Sequence, residues 1–245
     1  MGQFFLDISG TTIGALPSDM TLRRNSTSAM WGAQDLDGAR VLRYLASTGT
    51  GSRAVSFDAI TSSGVSELFS TFRAEGSPRF ALFASDSPDS ELAVTAATDS
   101  NVISAYARVS GSFNGIATAN FTLSFNNYYS IRFRVTPGTP KGIKVRVWEA
   151  GTTEPATWQI DTTTSLGSTT SGYAGLISFD SNKFHLFKDV GIGTDGDAAP
   201  KTAVAAPTTL DTPANLAGVF GARSVDLRWD AVTGADYYEY EFRQV

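Results

Sequence analysis

Few side chains in this 245-residue chain are of types that do chemistry, and their spacing is the first constraint on function. There is one histidine, His185, inside Phe184-His185-Leu186-Phe187, and there is no cysteine. Disulfides, thiol nucleophiles and Cys-ligated zinc are therefore excluded. A Ser-His-Asp triad would have to use His185. No Gly-x-Ser-x-Gly elbow accompanies it, and a histidine among three apolar strand residues reads as structural. Glycoside hydrolysis needs two carboxylates facing one cleft, yet Glu67, Glu75, Glu91 and Glu149 are scattered. The nearest acidic pair, Asp35-Leu36-Asp37-Gly38, reads as a turn. Gly191-Ile192-Gly193-Thr194-Asp195-Gly196 matches the dinucleotide fingerprint letter for letter. That motif works only at a helix N-terminus, whereas here Asp195 and Asp197 add negative charge and Pro200 follows. It reads as a glycine-rich exit turn, and the chain reads as no enzyme.

The formal net charge is -5, and no Lys/Arg run exceeds two residues. That composition lacks the electrostatic footprint of a nucleic-acid binder. No segment approaches the ~18 consecutive apolar residues of a membrane-spanning helix, so no membrane insertion is expected. Met1 to Asp7 has neither a basic n-region nor a long apolar stretch, so no signal peptide is expected. Asn25-Ser26-Thr27 and Asn120-Phe121-Thr122 are sequons by letter only.

Nearly every periodic stretch has period two. From Ala117 to Phe125 each odd position is apolar and each even one polar. Ile131, Phe133 and Val135 alternate with Ser130, Arg132 and Arg134, and Ile143, Val145 and Val147 alternate with Lys144 and Arg146. Further strands are expected near 4–9, 40–46, 54–60, 65–75, 79–86, 90–98, 102–110, 156–164, 172–180 and 184–190. About a dozen such strands, half-buried as in antiparallel sheets, make an all-β fold: a large jelly-roll sandwich. It is expected over residues 1–197. An Ala/Thr/Pro-rich linker is expected over 198–212.

The stretch Phe4 to Arg24, then Tyr128 to Val135, Lys144 to Trp148, Glu154-Pro155-Ala156-Thr157-Trp158 and Ser171 to Leu176 resembles, in that order, the laminin-G-like or concanavalin-A-like sandwiches of bacteriophage tail and fibre proteins. From Pro213, the strand Ser224 to Asp230 with its Trp229 and the Tyr-rich stretch Asp236 to Phe242 resemble the opening strands of a fibronectin type III domain. Such a domain needs seven strands, so residues 213–245 are expected to be an incomplete one that continues beyond Val245.

The resemblance implies a non-enzymatic virion structural protein of a tail, tail tip or fibre, with a display or adhesion role and host-glycan recognition. The alternatives are a capsid-decorating protein and a carbohydrate-binding module of an extracellular bacterial protein. It implies other virion proteins and a host surface glycan as partners, a homo-oligomer in the particle, and location at the particle surface or otherwise outside the cell. The hydrolases of this fold carry acids two residues apart on one strand, and no Glu-x-Asp-x-Glu occurs here. Sugar-binding candidates are the aromatic residues Trp31, Tyr44, Tyr106, Tyr128 and Trp148. By alternation Trp148 points away from the core, where it binds ligand or, with Trp158, clamps residues 149–157 against the sheet. Arg132, Arg134, Lys144 and Arg146 form a basic stripe on the same face. The cofactor that the resemblance allows is a structural Ca2+, with Asp7 and Asp189 as its carboxylate ligands.

Overall fold

The computed structural model describes residues 2–24, 26–44, 53–57, 64–85, 91–97, 101–125, 127–167, 172–178 and 183–202, and the backbone of 217–220 and 225–228. Seventeen strands occur in these residues: β1 (Gly2–Phe5), β2 (Met20–Arg24), β3 (Trp31–Leu36), β4 (Ala39–Tyr44), β5 (Arg53–Phe57), β6 (Ser66–Ala74), β7 (Arg79–Ala84), β8 (Glu91–Ala97), β9 (Val102–Val109), β10 (Ser112–Asn120), β11 (Tyr129–Thr136), β12 (Lys141–Glu149), β13 (Ile160–Thr164), β14 (Tyr173–Ser178), β15 (His185–Thr194), β16 (Ala217–Phe220) and β17 (Val225–Arg228). The chain divides into two compact units, Met1–Val204 and Ala205–Val245. In the second, β16 and β17 pair as an antiparallel hairpin. The Tyr-rich stretch from Asp236 to Phe242 lies outside the described residues.

The first unit is an all-β jelly-roll sandwich of two antiparallel sheets. Sheet A runs β13-β12-β11-β6-β15-β4-β3, with β1 also paired to β15; sheet B runs β10-β9-β8-β7-β14-β5-β2. The expected alternation closes it. Ile131, Phe133 and Val135 of β11 lie opposite Val147, Val145 and Ile143 of β12, and all six are buried in one core cluster with Leu68, Phe80, Val94 and Leu176. Aromatic rings bridge the layers. Tyr44, Trp31, Phe187, Phe80 and Phe72 follow one another at centroid separations of 4.9, 6.2, 5.9 and 5.0 Å.

Two hairpins are set by turn chemistry. Asp37-Gly38 and Ser110-Gly111 both have positive φ at the two central residues (53° and 75°; 49° and 82°), the backbone twist that joins two antiparallel strands directly. The Ser110-Gly111 turn also explains one displaced element. Pairing with β9 has to resume at Ser112, so the strand expected over 117–125 occupies Ser112–Asn120 instead. The continuation leaves the sheet, with Leu123 N held by Asn101 Oδ1 at 2.8 Å. Strands β2 and β3 were absent from the sequence expectation, because Gly32 and the polar run Gln34-Asp35 interrupt alternation in β3, and β2 is only five residues long.

The outward face of sheet A is sealed near its β11–β12 side. Asp195-Gly196 turns the chain back, with Asp197 N bonded to Thr194 O at 3.0 Å. Residues 197–200 then lie over β15 so closely that a Cβ on Gly191 or Gly193 would collide with the backbone of Pro200 or Asp197. The glycines of the fingerprint-like motif are thus there for close backbone approach, not for a phosphate. The expected linker start at residue 198 falls within this strap. Its anchor is Glu67, fully buried on β6: it accepts from Ala199 N (3.0 Å), Arg134 Nε (2.6 Å) and Arg132 Nη1. Arg132 also donates to Ala199 O at 3.0 Å and to Glu154 Oε1 at 2.7 Å.

Removing one partner of a buried ion pair leaves the other charge uncompensated, a loss of about 3–5 kcal/mol. Glu67→Ala is expected to lower unfolding stability by about that amount in urea titration. Unchanged stability would show that Glu67 does not anchor the strap.

Candidate functional site

The five aromatic residues singled out as ligand contacts do not come together. Trp31 and Tyr44 have 0% exposure and belong to the ring ladder between the sheets, so neither offers a face to a sugar. Their inward orientation follows from positions on β3 and β4 in phase with Ala33 and Leu42, which lie in the same core cluster. Trp148 does point away from the main core. It is nonetheless buried there, packed with Phe69 and Ala199, with Lys201 Nζ 5.6 Å above its ring. Trp158, ten residues further along, stacks on Arg146 at 4.2 Å and Arg134 at 5.5 Å.

The basic stripe around these tryptophans is a compensated network. Arg132 and Arg146 face each other across β11 and β12, as do Arg134 and Lys144. Glu67 and Glu154 take the arginines, Lys144 pairs with Asp161 at 2.9 Å, and Lys201 joins Glu154. Burial works to raise the Glu154 carboxyl, but hydrogen bonds from Lys201 and Arg132 and the nearby charges hold it below its ordinary value.

Tyr128, half-buried, sits at a different place on sheet A. Its ring lies 5.2 Å from the Arg73 guanidinium, its hydroxyl donates to Asp37 Oδ2 at 3.2 Å, and Asp37 pairs with Arg73 at 3.1 Å. Burial pushes the phenol up. Close by, a cleft of about 200 Å³ is lined by Gln34, Leu36, Arg43, Arg73, Phe184 and Leu186. Gln34 and Arg43 also line a larger hollow of about 360 Å³ beside Ile13 and Gly14.

Asp7 and Asp189 are set across from each other: Phe5 pairs with Gly191, and Leu6 N continues the register to Val190 O at 2.8 Å. The Asp7 carboxyl accepts from the Ser9 hydroxyl (2.6 Å) and Ser9 N (2.9 Å), which lower it, while burial raises that of Asp189. Two hard carboxylates so placed are compatible with calcium, which takes 6–8 oxygens. No cluster of three or more His, Asp or Glu that could hold a metal forms among the described residues.

Tyr106 leads to the array that sequence reasoning missed, on the outward face of sheet B. Leu176, Val55, Phe80, Val94 and Ala105 point into the core, so their neighbours point out and gather as a second cluster of Ala54, Ala81, Ala84, Ala93, Tyr106, Tyr173 and Ile177. The register aligns Ser56, Gly175, Ala81, Ala93, Tyr106 and Gly115 in one row across the sheet. Small residues form most of this floor, and large ones stand at its sides. The Tyr173 ring folds over Gly175, where a Cβ would meet it at 3.3 Å. Arg23 lies over Tyr173 at 5.2 Å and donates Nε to Ser56 Oγ at 2.9 Å. At the other end Arg79 is stacked against both Tyr106 (4.7 Å) and Phe113 (4.5 Å), and Arg108 lies over Phe113 at 5.0 Å. Phe113 is 47% exposed. The signal available in the sequence was one arginine on each of β2, β7 and β9 in phase with outward positions. It is invisible until the strands are placed side by side.

The chain matches no protein-family profile and no curated protein. Among solved structures it is similar to the carbohydrate-binding module CBM66 from Bacillus subtilis, with a TM-score of 0.52 at 11% identity over 71% of this chain and 96% of that one. It is similar to the Bacillus licheniformis beta-glucanase (TM-score 0.50, 13% identity, 79% and 99% covered) and to the carbohydrate recognition domain of Emp46p in its metal-free form (TM-score 0.50, 13% identity, 78% and 94% covered). At such identities the likeness establishes a shared sandwich fold.

His185 lies between the sheets: its Nε2 is 2.9 Å from Ser178 Oγ, its ring stacks on Tyr44, and both His185 and Ser178 are fully buried. Burial lowers its pKa to about 3. An unfolded chain takes up that proton near the ordinary value of ~6.5, so stability falls as pH drops from ~6.5 towards 3, by about 1.4 kcal/mol per unit. His185→Gln is expected to remove this slope in urea titrations between pH 6 and 4. An unaltered slope would mean that His185 is not held neutral.

Proposed function

We propose that the sandwich is a non-catalytic glycan-binding module whose binding face is the outside of sheet B. The guanidinium–ring array of Arg23, Tyr173, Arg79, Tyr106, Arg108 and Phe113 carries this reading. It offers planar N–H donors and apolar ring edges in one place, the two kinds of contact that a polyhydroxylated ring can use. The fold supports it too, since two of the similar structures are named for carbohydrate binding. The display setting we propose, on a virion tail or fibre, rests on the resemblance of a sandwich followed by fibronectin-like strands to such proteins.

Glycan-array screening tests the reading. Wild type is expected to bind a defined set of glycans. Phe113→Ala and Arg108→Ala each weaken that binding by about tenfold, the effect of ~1.4 kcal/mol, with an unchanged circular-dichroism spectrum. Ile13→Ala, in the hollow on the opposite sheet, leaves it intact. A blank array, or equal binding by the Phe113 and Arg108 variants, would contradict the assignment.

A further inference from the structure

We propose that the cleft on the outward face of sheet A, where β4 meets β15, is a second binding site whose ligand is a small organic acid: one carboxylate on a short apolar body. The proposal is independent of the glycan reading. The cleft holds about 200 Å³ and is lined by Gln34, Leu36, Arg43, Arg73, Phe184 and Leu186. Pairing sets Arg43, Leu186 and Arg73 in one row across β4, β15 and β6. They point outward because the residues flanking them, Leu42, Tyr44, Phe72, Ala74 and Phe187, belong to the core. Two strand intervals, ~10 Å at ~4.8 Å each, separate the two arginine backbones. Leu186 is the floor between them.

Arg43 is the arginine of sheet A that no carboxylate answers among the described residues. Arg40 pairs with Asp35, Arg73 with Asp37, Arg132 and Arg134 with Glu67, and Arg146 with Glu154. Arg43 instead donates Nη1 to the neutral Gln34 Oε1 at 2.7 Å. A guanidinium only donates, so this bond takes the oxygen of the amide and leaves its N–H groups. Arg73 pairs with Asp37 through Nη1, and its Nε is buried without an acceptor. Glu75, whose N bonds to Phe184 O at 3.0 Å, forms no ion pair with either arginine among the described residues. The polar side chains that border the cleft are therefore donors whose one acceptor is already used. Donors around an unanswered positive charge select an anion that only accepts, and a planar guanidinium meets both oxygens of a carboxylate.

The rest of the lining sets the other half of the ligand. Leu36, Phe184 and Leu186 are apolar; Leu186 is buried, and Leu36 and Phe184 are half-buried. A methyl-bearing or ring-bearing body gains by covering them, since apolar surface then leaves water on both sides. Size is bounded by the volume. Drug-sized ligands occupy pockets of ~300–1,000 Å³, so this cleft takes a branched-chain or single-ring acid and nothing longer.

The test is nuclear magnetic resonance titration of the intact chain with benzoate, set against benzyl alcohol and acetate at constant pH. Benzoate is expected to give saturable shifts at Gln34, Arg43, Phe184 and Leu186, with a dissociation constant of about 1 mM or below. Benzyl alcohol keeps the ring without the charge, and acetate keeps the charge without the ring; each binds about tenfold or more weakly. Arg43→Gln brings benzoate down to the benzyl alcohol level with the circular-dichroism spectrum unchanged. Leu36→Ala, which leaves every donor in place, brings it towards the acetate level. The wild-type comparison of the three probes decides the question even where a variant alters the fold. No saturable shift at the cleft, benzoate no tighter than benzyl alcohol or than acetate, or full benzoate affinity in a folded Arg43→Gln would each overturn the proposal. The glycan reading stands or falls separately, on the array and the Phe113 and Arg108 variants.

Discussion

Each strand of the sandwich has to commit one of its two faces to the space between the sheets. Period-two alternation makes that commitment: the apolar partners of β11 and β12 meet Phe80, Val94 and Leu176 from the other layer, and a ladder of rings from Tyr44 to Phe72 fills the gap. The consequence for function is direct. Any side chain in phase with the core, Trp31 and Tyr44 included, is withdrawn from recognition. Only outward positions, and the segments that cross over them, are left to meet a ligand.

Those outward positions are treated in opposite ways. Near β11 and β12, sheet A is covered by the returning segment 197–200, which the glycines of β15 admit and the buried Glu67 carboxylate fixes. Its arginines are consumed by internal carboxylates, so a face that looks basic in sequence is electrostatically closed. On sheet B, Arg23, Arg79 and Arg108 stack on the rings of Tyr173, Tyr106 and Phe113. The same residue type therefore does two jobs in one domain, decided by what stands on the neighbouring strand.

Fold class was legible because alternation is local: residues 130–135 and 143–147 announce their two faces without knowledge of any partner. Turn chemistry was less so. The Ser110-Gly111 reversal moved a strand by five residues at its start, since alternation in 117–125 continues past the point where pairing stops. The site was the least legible part. Trp148 was correctly oriented from its neighbours, but what covers it comes from Ala199 and Lys201, about 50 residues away. Arg23, Tyr173, Arg79, Tyr106 and Phe113 lie on five different strands, and the sheet order β10-β9-β8-β7-β14-β5-β2 that joins them is not readable from local pattern. Aromatic type alone could not separate core rings from surface rings.

The central claim is that the outer faces differ in availability, sheet B meeting ligand while sheet A near β11 and β12 is covered by its own chain. Nuclear magnetic resonance mapping of the labelled sandwich during titration with an oligosaccharide that it binds on the glycan array tests it most directly. The account predicts shift changes concentrated at Arg23, Arg79, Arg108, Tyr106, Phe113 and Tyr173, with Arg132, Trp148 and Ala199 unmoved. Changes centred instead on the cleft of Gln34, Arg43 and Arg73, or on the strap around Ala199, would contradict it.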